Sequence, residues 1–281
     1  MGKIDYRLKE VHEVRGRQGI AVLKNGFIVS GSTTLTRYDA QWNVCCENAA
    51  PFAVGFSQEV NHIGDIDVFD GEVFCGAELF LDGVASNIQI AVFDAQTLQF
   101  KRAFPFAPES GQTECSGITV NPDDRTLWMS SWANGDSGRY LYQYDLDTGA
   151  YLRKVHLHAV QQWIQGVAYH DGAFYLTADD GDADDDEPDH IYRAEIAPGA
   201  THCRVTEEKT LDDVIKQGEI EGLAFAHDPA RLLVLYNRGA HIVQGMPLDF
   251  YDGYDREIHE VFVYEILDTR RQESYNESAG T

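Results

Sequence analysis

Apolar and polar positions alternate along this chain in short runs, and one run recurs in nearly the same words. Its copies are Gln18-Gly19-Ile20-Ala21-Val22, Gly64-Asp65-Ile66-Asp67-Val68, Ser116-Gly117-Ile118-Thr119-Val120, Gln165-Gly166-Val167-Ala168-Tyr169 and Glu221-Gly222-Leu223-Ala224-Phe225. Their second positions, 19, 65, 117, 166 and 222, lie 46, 52, 49 and 56 residues apart. A repeat of this length is a small sheet that buries its faces only by stacking on its neighbours, the signature of a propeller or solenoid. A turn signal follows each copy. Asn25-Gly26, Asp70-Gly71 and Asp171-Gly172 accept positive φ and close tight hairpins, and Asp123-Asp124 and Asp228-Pro229 stand in the same place. Phe27 to Ser32, Val73 to Glu78, Thr126 to Trp132, Phe174 to Asp180 and Leu232 to Arg238 then supply a second strand. A third ends in an aromatic residue at Tyr38, Phe93, Tyr144, Tyr192 and Tyr264, and a fourth is clearest in Phe100 to Phe106 and Tyr151 to His158.

This pattern predicts an all-β, five-bladed β-propeller with four-stranded blades, in one domain over residues 1–281. The last repeat runs out of strands after Val261 to Ile266, and the tail from Asp268 to Thr281 is polar. At the other end, Ile4 to Val11 alternates yet belongs to no repeat. Residues 4 to 14 are therefore expected to complete the last blade and close the ring, leaving no open end. An irregular β-sandwich of hairpins is the competing architecture, and the regular four-strand spacing argues against it.

With 281 residues and 43% hydrophobic content the chain has material for one large core. Positions 1 to 20 carry no apolar signal region, and no run approaches the ~18 apolar residues that span a bilayer, so the expectation is a soluble, cytoplasmic protein without a membrane partner. Cys45, Cys46, Cys75, Cys115 and Cys203 have no framework spacing and read as reduced thiols. The charge of −24, from 46 acids against 22 bases, disfavours nucleic acid, whose phosphates need clustered Lys and Arg. Most of these acids serve solubility; chemistry is expected only where they converge.

In a propeller, the loop entering the first strand of a blade and the loop leaving its second open on one face, around the central channel. Those positions hold Gln18 and Ser32; His62, Asp65 and Glu78; Glu114 and Trp132; Gln165, Asp179 and Asp180; and Glu219, Glu221, Asn237 and Arg238. Carboxylates brought this close repel unless a cation or shared protons compensate. The expected occupant of the mouth is a divalent cation, most plausibly Ca²⁺ for its oxygen ligands, held by Glu78, Asp180, Glu221 and Asn237; carboxyls of raised pKa are the alternative. His62, Asp65, Glu78 and Glu114 are the candidate proton-moving residues. Asp65 stands where the other four repeats have glycine, and such a departure marks a place where function enters a repeated scaffold. A loop-capping role is the plain alternative for His62. Trp132, Gln165, Arg238 and Tyr251 are the candidate substrate contacts: Trp132 offers a flat apolar face, and a guanidinium clamps a carboxylate or pairs with a rim acid.

Two loops on this face exceed what the scaffold requires. Asp180, Asp182 and Asp184 in the 179–190 loop are spaced like the start of a calcium loop, without its glycine and distal glutamate, and a solvated acidic loop fits as well. The 239–259 insertion places Met246, Phe250, Tyr251 and Tyr254 among Gly245, Pro247 and Gly253, suited either to a lid over a small ligand or to packing on the last blade.

Carried by these repeats, the rim acids and Gln-Gly phrases such as Arg17-Gln18-Gly19-Ile20, the chain resembles two propeller families, the gluconolactonase/regucalcin-like hydrolases and the plant-type glutaminyl cyclotransferases. The first resemblance implies a divalent cation, with Glu221, Asn237, Asp180 and Glu78 in the ligand positions, although six blades are usual there and the early glutamate followed by Gly-Pro is absent here. The second implies five blades; its early Tyr-Glu-Ser-Thr-Gly element is echoed only by Val29-Ser30-Gly31-Ser32-Thr33. Three functions follow as expectations: a metal-assisted small-molecule hydrolase or lyase at the channel mouth, a metal-free cyclotransferase-like enzyme, or a non-catalytic propeller that binds a ligand or protein across its rim.

Overall fold

The computed structural model describes residues 4–268 apart from Phe106, Asn134, Gln162 and Gln244, so the tail beyond Asp268 and the end of the run to Phe106 lie outside the described residues. The strands run β1 (Ile4–Glu13), β2 (Gly19–Leu23), β3 (Gly26–Gly31), β4 (Thr34–Tyr38), β5 (Val44–Asn48), β6 (His62–Phe69), β7 (Glu72–Leu81), β8 (Val84–Asp94), β9 (Phe100–Phe104), β10 (Ile118–Asn121) and β11 (Thr126–Met129). They continue with β12 (Tyr140–Asp145), β13 (Tyr151–His158), β14 (Ile164–His170), β15 (Ala173–Ala178), β16 (His190–Ala194), β17 (His202–Thr210), β18 (Gln217–His227), β19 (Ala230–Arg238), β20 (Ala240–Val243), β21 (Met246–Phe250) and β22 (Ile258–Asp268). Among the described residues there is no α-helix, and no helix is long and apolar enough to cross a membrane.

The strands form antiparallel meanders. One four-stranded sheet is β2-β3-β4-β5 and another β6-β7-β8-β9; an eight-stranded sheet has the order β10-β11-β12-β13-β17-β16-β15-β14. In the latter, two meanders meet edge to edge through a short parallel pairing of β13 with β17, His156 opposite His202 and Leu157 opposite Cys203. The last sheet, β18-β19-β22-β1, joins both ends of the described chain: β1 runs antiparallel to β22, with Tyr6 opposite Ile266 and Val11 opposite Phe262. Inner strands touch in cyclic order, β2 with β6, β6 with β10, β10 with β14, β14 with β18 and β18 with β2. The end strands of the eight-stranded sheet thereby return to each other, and the whole is a propeller-type arrangement around one axis.

Period-two patterning explains why each sheet sits between two others. Along β7, Val73, Cys75 and Ala77 enter an apolar cluster shared with Ile28 and Leu35 of the preceding sheet. Phe74, on the opposite face, enters a cluster with Ile118, Leu127 and Tyr142 of the following one. Further clusters fill the remaining gaps: Trp128 with Phe174 and Leu176, Tyr175 with Leu232 and Phe262, and Val29 with Leu233 and Val261. Full burial of one such side chain is worth about 1.5–3 kcal/mol. The 239–259 insertion forms a hairpin, β20–β21, that sequence patterning did not separate from loop.

Where the inner strands meet, backbone packs on backbone. A Cβ on Gly166 would lie 2.7 Å from the Cα of Gly222, and one on Gly19 would lie 2.6 Å from the Cα of Asp65. Asp65 uses the room these glycines leave. Its Oδ1 accepts the Ile66 N–H at 2.8 Å and its Oδ2 the Val167 N–H at 3.1 Å, while its own N–H donates to the Ser116 carbonyl at 2.8 Å. The side chain is 1% exposed and ties β6 to β14 across the axis. Asp67 repeats the device one turn of the pleat lower, taking the Thr119 hydroxyl and the Val120 N–H, both at 2.8 Å.

Gly166→Ala is expected to destabilise the protein by about 1–3 kcal/mol in urea unfolding, because the new Cβ would meet the backbones of Gly222 and Glu221, which cannot turn aside. Deleting residues 1–13 strips β22 of its outer partner, leaving it paired with β19 alone, and uncovers Phe262 and Tyr264; the truncated chain should unfold at markedly lower urea or fail to fold. An unchanged midpoint would remove β1 as the clasp of the ring.

Candidate functional site

Above the collar the axis opens into a cavity of about 170 Å³, and two groups of polar side chains face it. The first stands on β6, β7 and the segment before β10. His62 lies opposite Glu78 in the β6–β7 register, and its Nδ1 is 3.3 Å from Glu78 Oε1. Glu78 is fully buried, and its Oε2 accepts the Cys115 N–H at 3.0 Å and the Cys115 thiol at 3.3 Å. Burial and the charges of Glu78 and Glu114 push the Cys115 thiol far up, so this cysteine is a hydrogen-bond donor and not a nucleophile. Glu114 accepts the Trp132 N–H. Burial, with the charge of Glu78 adding, raises the Glu114 pKa well above the carboxylate range against the Trp132 and Ala133 N–H groups, so Glu114 enters the site as a carboxylic acid. The Trp132 ring packs 4.9 Å from that of Trp163, and its indole N–H, though buried, has no partner among the described residues.

The second group stands on β18 and the turn before β2. Gln165 Nε2 donates to Glu219 Oε1, and Gln18 Nε2 lies 3.5 Å from Glu221 Oε1. Glu219 and Glu221 are two apart on one strand and so share a face, and the register of β18 against β19 slips around them. They are hydrogen-bonded to each other. Burial pushes Glu219 up to about 7, opposed by Arg17, Gln165 and Glu221 and assisted by Glu257. Glu221, beneath it, is raised further by burial and by the charge of Glu219, which makes Glu221 the proton holder of the pair. Arg17 is committed to Glu257 at 2.9 Å and to the Gly245 carbonyl, so it fixes the β20–β21 hairpin over the mouth and leaves the substrate-facing charge negative.

Of the residues expected at the mouth, His62, Glu78, Glu114, Trp132 and Gln165 line the cavity, with Gln18, Ser32 and Glu219. Others lie elsewhere. Asp65 is sealed in the collar below, because the glycines around it admit a carboxylate sideways but no cavity. Arg238 is held by Glu260, with Nε–Oε2 at 2.7 Å, and by the Ile215 carbonyl. Tyr251 packs with its ring 3.9 Å from that of His241, tilted by 50°, and donates to the Gln217 carbonyl. Asp180 faces outward, bonded to His190 at 2.9 Å and Tyr192 at 2.6 Å, and Asn237 donates to Glu257 at 2.8 Å. The set Glu78, Asp180, Glu221 and Asn237 therefore does not assemble. Among the described residues no three His, Cys, Asp or Glu side chains are arranged to hold a metal ion, and the residues do not fit the cation implied by the gluconolactonase-like resemblance. The 179–190 loop instead packs on its neighbours, through Lys216 to the Ala183 carbonyl, Gln217 to the Glu187 carbonyl and His241 to Asp184.

Sequence reasoning gave no site role to Arg17 or Phe80. Asn61 and Phe80 bond to each other in both directions, at 3.0 and 2.7 Å, and shape the wall beside His62. Only the adjacency of Arg17 to the Gln-Gly phrase signalled it. At the far end of the axis the hairpin turns frame a wider funnel of about 800 Å³, with His170 stacked on Phe225 at 4.2 Å.

No protein-family model and no curated protein matches the chain. Solved structures match over most of its length at low identity. A Kuenenia stuttgartiensis hydrazine synthase chain matches at 14% identity and TM-score 0.47 over 92% of this chain, which spans 64% of that one. BamB from Moraxella catarrhalis matches at 14% identity and TM-score 0.39 over 90% of this chain and 60% of its own. The Malassezia sympodialis allergen Mala s 1 matches at 10% identity and TM-score 0.50, over 89% of this chain and 78% of the allergen. At these identities a likeness concerns the fold at most and carries no activity across.

The Glu219 carboxyl is raised on folding, so its contribution to stability is full below about pH 4.5 and is lost as pH rises to about 7. Glu219→Gln should gain stability relative to the parent across that window, at up to ~1.4 kcal/mol per pH unit. Thermal unfolding of both proteins from pH 4 to 8 measures it; parallel curves would mean that Glu219 titrates normally.

Proposed function

We propose that the chain is a single propeller domain of five four-stranded blades, with the meanders β10–β13 and β14–β17 counted as separate blades, and that its mouth is a metal-free acid–base active site for a small molecule. The observation that carries this reading is the presence of a carboxylic acid, Glu114, and a carboxyl that titrates near neutrality, Glu219, at one small cavity. A general base works best with a pKa near the operating pH, and a neutral acid is needed to protonate a leaving group or polarise a carbonyl. In this reading Glu219 takes a proton from the substrate, with Glu221 donating a hydrogen bond that stabilises the carboxylate. Glu114 donates on the other side. The His62–Glu78 pair orients or exchanges the second proton, and the indole N–H of Trp132, unpaired among the described residues, meets an acceptor atom of the substrate.

The cavity volume of about 170 Å³ limits the reacting portion to a small group. Carboxylates on both sides favour a neutral or cationic substrate over an anion. Cyclisation and elimination suit an acid–base pair without a metal, in keeping with the resemblance to glutaminyl cyclotransferases. The binding-propeller reading is favoured by one feature, the exposed apolar side chains Met246, Leu248 and Phe250 (63%, 71% and 44%) on the hairpin beside the mouth.

A panel of small amides, lactones and amino-acid amides, followed by NMR, tests the enzyme. Glu114→Gln and Glu219→Gln should each lower turnover by ~10²–10⁴, with activity insensitive to EDTA. Full activity in both variants would refute the acid–base mouth. If no member of the panel turns over and binding instead depends on Met246 and Phe250, the rim is a docking surface.

A further inference from the structure

Behind Glu219 the structure continues with acids that the mouth does not use. Asp179, directly after β15, accepts the Ile220 N–H and so sits one residue along β18 from Glu219. The acids it feels are Asp189, Glu219 and Asp180. Asp189 is 1% exposed; its Oδ1 accepts the Gly181 N–H at 2.9 Å and its Oδ2 has no partner among the described residues. Tyr236, opposite Ile220 on β19, is fully buried, and its hydroxyl is likewise unpaired. That phenol feels Asp189 more strongly than any other charged group, with Tyr264, Asp179 and Asp180 following. At the outer end, Asp180 and His190 form a pair at 2.9 Å whose side chains are 22% and 25% exposed.

Two buried polar atoms without partners among the described residues, Asp189 Oδ2 and the Tyr236 hydroxyl, beside carboxyls that feel one another from Glu219 to Asp180, call for more than packing. An unpaired buried donor or acceptor costs about 1–3 kcal/mol, and isolated buried carboxylates are avoided. We propose that Asp179 and Asp189, with the phenol of Tyr236, form a proton relay that connects Glu219 at the mouth to the Asp180–His190 pair at the surface.

The relay rests on the acid–base reading of the mouth and supplies what that reading lacks, a way to clear the proton that Glu219 takes from the substrate under a closed hairpin. Once protonated, the Glu219 carboxyl gives a proton to Asp179, Asp179 passes one to Asp189, and Asp189 releases one to a solvent base through Asp180 and His190. One proton leaves to solvent for each one taken from the substrate, and no electron moves. Burial holds Asp189 at about 7, against the Gly181 N–H and His190 and with Asp180 and Glu219 adding, so it both accepts and releases a proton at neutral pH. The remaining charged groups facing the line are Arg17, Glu257 and Glu221 around Glu219.

The test needs no substrate. Side-chain carboxyl ¹³C resonances of the full chain are followed from pH 4 to 9, in the parent and in Asp189→Asn. At least two carboxyls of the parent should titrate between pH 6 and 8. The variant should lose one and lower the Glu219 midpoint by half a pH unit or more, with the His62 resonances unmoved. Tyr236→Phe, which removes only the hydroxyl, should shift the Asp189 midpoint and serves if Asp189→Asn does not fold. A Glu219 midpoint indifferent to Asp189→Asn, or an Asp189 midpoint indifferent to Tyr236→Phe, would overturn the relay. So would a thermal midpoint that Ca²⁺ or Na⁺ raises in the parent and not in Asp189→Asn, which would assign the cluster to a cation. If the panel above yields a turnover, Asp189→Asn should slow it tenfold or more in dilute buffer and added imidazole should restore it, whereas Glu219→Gln is not rescued. Coupled titration without turnover would sink the active-site reading alone; turnover lost in Glu219→Gln without coupled titration would sink the relay alone.

Discussion

The molecule depends on how closely its inner strands approach one another. At Gly19, Gly166 and Gly222 the backbones come so near that no side chain fits between them, and the carboxylate of Asp65 occupies the one gap they leave. Each inner strand then has a fixed height relative to the axis. The residues directly before Gly19, Gly117 and Gly166 are held at the mouth, which is how Gln18, Ser116 and Gln165, distant in sequence, come to line one space. Asp65 has a second consequence: its carboxyl, raised well above its ordinary range chiefly by burial, closes the channel and separates the two ends of the axis.

A collar of this kind forces acids into low dielectric. Asp65, Glu78, Glu114, Glu219 and Glu221 are all at most 6% exposed. Arg17 is the basic side chain that eases Glu219 and Glu221, and it is already bonded to Glu257. A buried carboxyl without a cation survives by keeping its proton or by taking backbone N–H bonds, and the chain uses both means. Asp65 and Asp67 are satisfied mainly by N–H groups and act as staples. Glu114 and Glu221 keep protons. The same residue type therefore serves structure low on the axis and chemistry at its mouth, and position relative to the collar decides which.

This division sets what was legible in the sequence. Glycine in four repeats and alternating strands mark a ring of stacked sheets, and the orphan alternation of Ile4 to Val11 marks an outer strand, which it forms with β22. The rim positions followed from the repeat register, so His62, Glu78, Glu114, Trp132 and Gln165 could be placed at one mouth before any coordinates. Register alone does not say which way a bulged strand turns its side chains. Glu219 faces the cavity and Glu221 lies beneath it because β18 slips against β19 between Gln217 and Leu223. Arg238 and Asp180 leave the mouth because Glu260, His190 and Tyr192 offer partners nearer to them, and pairings across that distance have no local sequence mark. Asp65 misled for a physical reason: a residue that breaks a glycine repeat signals an exceptional site, and the exception here was the staple itself.

The larger concavity is at the opposite end of the axis, and size is not what assigns chemistry. In that funnel of about 800 Å³ the carboxylate nearest the axis, Asp67, takes bonds from Val68, Thr119 and Val120, and the Thr119 hydroxyl in turn accepts the Tyr169 N–H at 2.9 Å. Its polar groups there hold β6, β10 and β14 in register. At the narrow mouth, by contrast, the indole N–H of Trp132 has no partner among the described residues and Glu219 can change its protonation state near neutral pH. Reactive capacity depends on groups that the fold has buried without satisfying, and on this axis those groups stand at the small opening.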